Sequence, residues 1–248
     1  MIAALPMYDR PETAAAHDRY WHQIAQSLQD NGIAAPTTLT RDMDVWTLWQ
    51  STQLLMAQTC GLPFRARLHD KVTLVGTPDF GLSNLPPGHY ASPVVVRADD
   101  SRDDLAAFHT ARLAFNEPLS QSGWAVIHAT GATFGQYLQS GAHRQSAAMV
   151  ATGKADIAAL DVITWRDIQR YDPSVASRLR VLMQTDPTPG LPYITAPNRD
   201  PTLIAGAIAQ AIAVLSGADR NTLGLRGLVQ ISARDYLAIP IPPAPPTD

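Results

Sequence analysis

Cysteine is almost missing from this 248-residue chain. With Cys60 alone there is no intramolecular disulfide and no cysteine-built zinc site, so the fold does not depend on an oxidising compartment. Lysine is nearly missing too, and the basic residues are scattered. A net charge of −3 without a basic cluster excludes nucleic acid and anionic membrane surfaces as partners, because both demand a concentrated positive face. The longest apolar run, Leu203 to Leu215, contains Gln210 and falls well short of the roughly 20 residues that cross a bilayer. Four signatures of enzymes are absent as well: the G-x-S-x-G elbow, the P-loop lysine motif, G-x-G-x-x-G and H-E-x-x-H. No metal or cofactor is implied.

What is present is an ordinary folded composition, 46% hydrophobic and 17% charged, long enough for one large α/β domain or two small lobes. Strand-like and helix-like stretches alternate. Expected strands are Ile2 to Leu5, Leu54 to Ala57, Lys71 to Gly76, Ser92 to Arg97, Ala111 to Phe115, Asp156 to Leu160, Arg180 to Met183 and Ile194 to Ala196. A helix with Ala15, Tyr20, Ile24 and Leu28 on its apolar face should stop at Asn31-Gly32. Further helices are expected over Gln145 to Ala151 and Val162 to Tyr171, with a helical turn near Ser101 to Ala107. Pro201 to Leu215 should be the longest helix, apolar nearly all round and deeply packed. The proline-rich stretch from Asp186 to Pro192 should hold no regular structure, and Pro240 to Asp248 should be a loose tail. The N-terminus lacks a positive n-region and a long apolar stretch, so the chain as written reads as cytoplasmic, and as periplasmic if a leader was removed.

One stretch carries chemistry. Asn116-Glu117-Pro118-Leu119-Ser120-Gln121-Ser122-Gly123 joins the strand Ala111 to Phe115 to a helix, and the first N–H groups of that helix have no intrahelical acceptor. With Ser120, Ser122 and Gly123 at that point, the stretch is either an oxyanion cradle or a plain serine N-cap. His143 precedes another helix start, and Asp161 ends a strand at the edge where ligands collect in open α/β sheets. Cys60, beside Gly61, is either an activated thiol or a structural residue.

The order of these elements resembles the phosphate/phosphite/phosphonate substrate-binding proteins of ABC importers. The resemblance rests on Asn116 to Gly123, on Gly141-Ala142-His143-Arg144-Gln145-Ser146, on Gly153 to Asp161 and on Gln58-Thr59-Cys60-Gly61. It covers roughly Met1 to Leu215. It implies a two-lobed periplasmic-binding-protein fold of type II with two crossover hinge segments and a ligand cleft between lobes. Residues 1–92 with 186–248 would form the first lobe, and 93–185 the second. The implied role is capture of a small oxyanion, phosphonate- or phosphate-like, for an ABC permease, by a protein that is not an enzyme. Ser120, Ser122, Gly123 and His143 would hold the anion, Tyr8, Gln58 and Thr59 would line the first lobe, and Tyr90 and Ser92 the hinge side.

Asp161 is the oddity, because a carboxylate beside a phosphonate is repelled in a low-dielectric site. Either the ligand carries an ammonium, as an amino-phosphonate does, or Asp161 bonds the backbone of the next helix. Arg144 stands where the family usually has an acidic residue, and it either adds a cation near the ligand or points to solvent. Two other readings remain at this level. One is a cytoplasmic enzyme on the same bilobal fold, like the menaquinone-pathway proteins, using His143 and Asp161 as an acid–base pair. The other is a cytoplasmic ligand sensor.

Overall fold

A computed structural model describes residues 1–246 of the chain. Two compact units emerge, Met1–His89 with Pro189–Ile239, and Tyr90–Thr188 with the segment from Pro240 on. The chain therefore passes between units after His89, Thr188 and Ile239. At the first two passages, His89–Tyr90 and Thr188–Pro189 pair as a two-stranded sheet, so the proline-rich stretch does hold a short piece of regular structure.

The first unit is built on five strands, in the spatial order Ile2–Ala4, Leu54–Gln58, Tyr193–Thr195, Thr73–Asp79, Gly227–Val229. The first two are parallel, and Tyr193–Thr195 runs antiparallel to both of its neighbours. All five residues of Leu54–Gln58 are buried, because the sheet is covered on both faces. On one face, Met56 and Val75 pack with Tyr20, Trp21, Ile24 and Leu28 of the helix Ala14–Asp30 and with Ile204, Ile208 and Ile212 of the helix Pro201–Val214. On the other, Leu54, Ala57 and Ile194 meet Leu48, Phe64, Leu68 and Tyr236.

Helix lengths differ from the sequence expectation. Ala14–Asp30 is the longest at 17 residues, and it ends where Gly32 takes φ +75°, a left-handed conformation that glycine adopts without strain. Pro201–Val214 has 14 residues and buries only one face, leaving Leu203 46% and Val214 60% exposed. Its lack of charge had concealed which face was covered.

The second unit repeats the plan with strands Gln136–Gln139, Arg112–Phe115, Ile157–Ala159, Pro93–Arg97 and Leu179–Gln184, in that spatial order. The first three are parallel, and Pro93–Arg97 is antiparallel to both of its neighbours. Val94, Val96 and Leu113 face Phe108, Trp124, Ile127 and Phe134, while Val95, Ala114 and Ala158 face Ala147, Val150, Trp165 and Ile168. The alternation along Pro93–Arg97 is the two-residue period of a pleated strand with helices on either side.

The segment after Pro240, expected to be loose, belongs to the second unit. The indole N–H of the buried Trp124 donates to Pro243 O at 2.8 Å, and Pro245 is buried. A tryptophan N–H withdrawn from water needs an acceptor, and this segment supplies it.

Candidate functional site

Both units place an unusual helix at the motif singled out in the sequence. In the second unit the strand Arg112–Phe115 ends, the chain turns through Glu117 to Ser120, and a π-helical turn, Gln121–Ala125, runs on into the helix Val126–Ala129. In the first, Leu54–Gln58 ends, Cys60 precedes a short helix Gly61–Pro63, and a π-helical turn Phe64–Leu68 follows. π-Helical turns are rare and are frequently found at functional sites.

Ser120 is the cap of the first of these. Its Oγ accepts from Gly123 N at 3.0 Å, while its carbonyl accepts from Trp124 N at 3.2 Å and Ala125 N at 3.0 Å. The Gln121 and Ser122 N–H groups, in the first turn, have no intrahelical acceptor. Ser122 Oγ lies 2.8 Å from His143 Nε2, and His143 is the first residue of the helix His143–Ala151. Ser120 and Ser122 are both buried. Thus Ser120, Ser122, Gly123 and His143 come together in one unit, and Ser120 is the N-cap that one of the two sequence readings expected.

Gly123 is indispensable to this arrangement. A Cβ there would overlap Asn116 Oδ1 and lie 3.1 Å from His143 Cε1. Asn116 Oδ1 is buried and has no hydrogen-bond partner among the described residues. A buried acceptor left without a partner costs about 1–3 kcal/mol, so this position calls for a donor.

His143 is neutral at physiological pH. Burial pushes its pKa down to about 4, against a smaller upward pull from the Ala159 backbone. The unfolded-state value of about 6.5 is higher, so between pH 6.5 and 4 the unfolded chain binds a proton that the folded chain does not. Stability from this group is therefore full above about pH 6.5 and is lost as pH falls toward 4. Titrating the denaturation midpoint should show that decline, and His143→Gln should flatten it. An unchanged slope in the variant would mean that other groups carry the acid sensitivity.

Asp161 is 2% exposed and caps the helix Val162–Tyr171, its Oδ1 accepting from Ile163 N at 2.8 Å and Thr164 N at 3.0 Å. Capping by itself accounts for a buried carboxylate at this position. Ser92 is fully buried; its N–H donates to Thr185 Oγ1 at 3.0 Å and its carbonyl accepts from Thr185 N at 3.0 Å, so it fastens the edge of the strand Pro93–Arg97. Its hydroxyl has no partner among the described residues. Tyr90 is buried at the first passage between units. Arg144 forms a 2.5 Å ion pair with Asp172 and is more than half exposed.

In the first unit, Gln58 is buried and its Nε2 donates to Leu191 O at 3.2 Å, which ties the strand end to the segment entering Tyr193–Thr195. Thr59 N donates to Pro192 O at 3.0 Å, and Thr59 is fully buried with its hydroxyl unpartnered among the described residues. Tyr8 is half-buried and stands edge-on to Phe80, ring centroids 5.5 Å apart. Cys60 is half-buried at the helix start. Sequence reading missed Arg65, which lies in the π-helical turn and is only 2% exposed. An arginine two turns past a strand end carries no signal of burial until the turn is known to be π-helical.

The chain matches the family described as "ABC transporter, phosphonate, periplasmic substrate-binding protein" over residues 40–236. No curated protein matches it in sequence. Among solved structures it resembles PhnD1 from Prochlorococcus marinus in complex with methylphosphonate, at 15% identity and TM-score 0.71, over 95% of this chain and 94% of that one. A binding protein component of an ABC phosphonate transporter from Pseudomonas aeruginosa gives 16% identity and TM-score 0.66, over 95% and 82%. XAC2383 from Xanthomonas citri, bound to ATP, gives 14% identity and TM-score 0.71, over 96% and 94%. These likenesses show the fold, the two-lobed periplasmic-binding-protein architecture of type II. The family is one of substrate-binding components and not of enzymes, which removes the menaquinone-pathway-like reading of His143 and Asp161. The chain belongs to the family of periplasmic substrate-binding proteins of phosphonate ABC transporters.

Proposed function

We propose that this protein captures a small phosphonate- or phosphate-like oxyanion and hands it to an ABC permease. The observation that carries the proposal is the pairing of the π-helical start at Ser120–Gly123 with His143. An oxyanion at that point would accept from the Ser122 N–H and hydroxyl, and the helix dipole favours negative charge there. Because His143 is neutral, the ring can hold its proton on Nε2 and donate it to Ser122 Oγ. The Ser122 hydroxyl proton is then directed at the ligand. The buried Ser92 hydroxyl, unpartnered among the described residues, is a further uncommitted donor in the same unit. The molecules bound to two structural relatives, methylphosphonate and ATP, both present tetrahedral phosphorus oxyanions. The periplasm is the location that fits such a role, since the family's members act there.

An amino-phosphonate is the finer reading, with Asp161 meeting the ammonium while it caps its helix. Thermal denaturation in the presence of methylphosphonate, phosphate, methanesulfonate and small carboxylates tests the broad proposal. A ligand at 100 times its Kd should add about 2.7 kcal/mol of stability. Calorimetry with 2-aminoethylphosphonate and ethylphosphonate tests the finer one, and equal affinities would refute it. Absence of any shift across the oxyanion panel would overturn the broad proposal.

A further inference from the structure

We infer that the C-terminal segment 240–246 positions the oxyanion site through Trp124: Pro243 O holds the indole, and the indole holds the π-helical turn that carries Ser122 and Gly123. This rests on the reading of the protein as an oxyanion-binding protein. Segment and turn both belong to the second unit.

Trp124 follows Gly123 within the turn Gln121–Ala125 and is buried. Its backbone N–H and that of Ala125 both go to Ser120 O, at 3.2 and 3.0 Å, so the tryptophan is fastened to the residue whose hydroxyl caps the turn. Its ring sits among Phe115, His128 and Tyr137, with centroids 6.0, 5.5 and 5.8 Å away. Burial among apolar neighbours is non-directional, whereas a hydrogen bond fixes an angle. The indole N–H makes one, to Pro243 O at 2.8 Å, and has no other acceptor among the described residues.

The segment is suited to holding still. Five of its seven residues are proline, which fixes φ near −65° and brings no N–H, so the segment offers carbonyls alone and loses little freedom on docking. Pro245 is buried two residues beyond the bond, while Ile241, two before it, is exposed. The segment is therefore seated at Trp124 and just past it.

Without Pro243 O a buried N–H is stranded, and the indole must leave its seat to reach water. Residue 124 cannot move alone. Gly123 lies so close under Asn116 and His143 that not even a methyl fits there, so a shift of the turn is passed to both. His143 in turn meets Ser122 Oγ at 2.8 Å. The fraction of molecules with the donors in place falls, and apparent affinity falls with it.

The test is calorimetry with methylphosphonate on the full chain and its variants, with chemical denaturation of each beside it. Trp124→Phe keeps an aromatic ring and removes the donor, and it should weaken binding about 10-fold. Ending the chain after Pro242 removes the acceptor and should have about the same effect. The two changes together should weaken binding no more than either alone, since they break one link. Pro243→Ala keeps the carbonyl and should bind within about 2-fold of the native chain. Native affinity in Trp124→Phe or in the shortened chain would overturn the inference, even if the denaturation midpoint fell, because the segment would then be a brace only. Losses that multiply on combination would overturn it too. If the native chain binds no oxyanion of the wider panel, the functional reading fails by itself, and the backbone amide NMR signals of Ser122 and Gly123 decide: displaced in the shortened chain they support the inference, unmoved they overturn it. Should Trp124→Phe not fold, the shortened chain and Pro243→Ala decide by the same measurements.

Discussion

Gly123→Ala should weaken oxyanion binding on the order of 100-fold while leaving the fold standing. The added methyl has nowhere to go: it overlaps Asn116 Oδ1 and presses on His143 Cε1 at 3.1 Å. Both neighbours belong to the cluster that orders Ser122, so relief of the clash pushes Asn116 or His143 out of place and breaks the 2.8 Å contact between Ser122 Oγ and His143 Nε2. Overpacking of this kind costs about 1–3 kcal/mol of stability. A donor displaced by about 1 Å costs on the order of 100-fold in affinity, because the hydrogen bonds to the anion depend steeply on angle and distance. Calorimetry with methylphosphonate reads the affinity. Gly206→Ala is the matched control, since a Cβ there meets nothing within 4 Å on the exposed face of Pro201–Val214. It should leave binding alone and add up to about 1 kcal/mol of stability. Native-like affinity in Gly123→Ala would mean that the anion does not use this helix start.

Gly190→Ala should have the largest effect on stability. Its Cβ would stand 2.7 Å from Gly88 O, a backbone atom that cannot rotate away. The same Gly88 carbonyl accepts from Gly190 N at 2.7 Å, and Gly190 O accepts from the Tyr236 hydroxyl at 2.8 Å. Tyr236 also shares a 2.7 Å hydrogen bond with Thr77 Oγ1 and packs edge-on against Phe64, with ring centroids 5.4 Å apart. Moving Gly190 therefore strains a backbone pair and a buried tyrosine at once. Chemical denaturation should show a loss of about 2–3 kcal/mol, the range of overpacked sites. Tyr236→Phe, which keeps the ring and removes the hydroxyl, should cost about 1–3 kcal/mol through the unpaired groups it leaves. A denaturation midpoint unmoved by Gly190→Ala would show that the strap beside the passage between units yields freely.

Much of this was legible in the sequence, and the reasons differ from element to element. The strands from Leu54, Pro93 and Arg112 are short, apolar and bounded by polar turns, so composition alone separates them from helix. Val162–Tyr171 announces both ends, with Asp161 as cap and Asp172-Pro173 after it. The edge strand Gln136–Gln139 escaped because it is half-exposed and alternates weakly. Val45–Trp49 and Ala233–Leu237 escaped because helices of five residues carry little periodicity. Local signals also hide partners far away in the chain. Nothing near Pro240 reveals that Trp124 needs Pro243 as an acceptor, and so the last segment was assigned to the wrong unit.

The site divides along the same line. Serines at a strand-to-helix turn, followed by glycine, are readable because capping chemistry is local. Asp161 as a cap was one of two readings, and its bonds to Ile163 N and Thr164 N realise that one. Arg144 and Arg65 could not be told apart by sequence. One pairs with Asp172 at the surface and the other is buried, and the difference depends on what each helix packs against.

The π-helical turns have a consequence for how the protein can change. Such a turn holds one residue more than an α turn, so it stores a single-residue insertion without disturbing the strands on either side. Deleting one residue from Gln121–Ala125 or from Phe64–Leu68 would rewind the segment to ordinary α-helix and swing the residues ahead of it by about 100° around the axis. Chain length at two positions can thus re-aim the residues of these helix starts, with the buried core left as it stands.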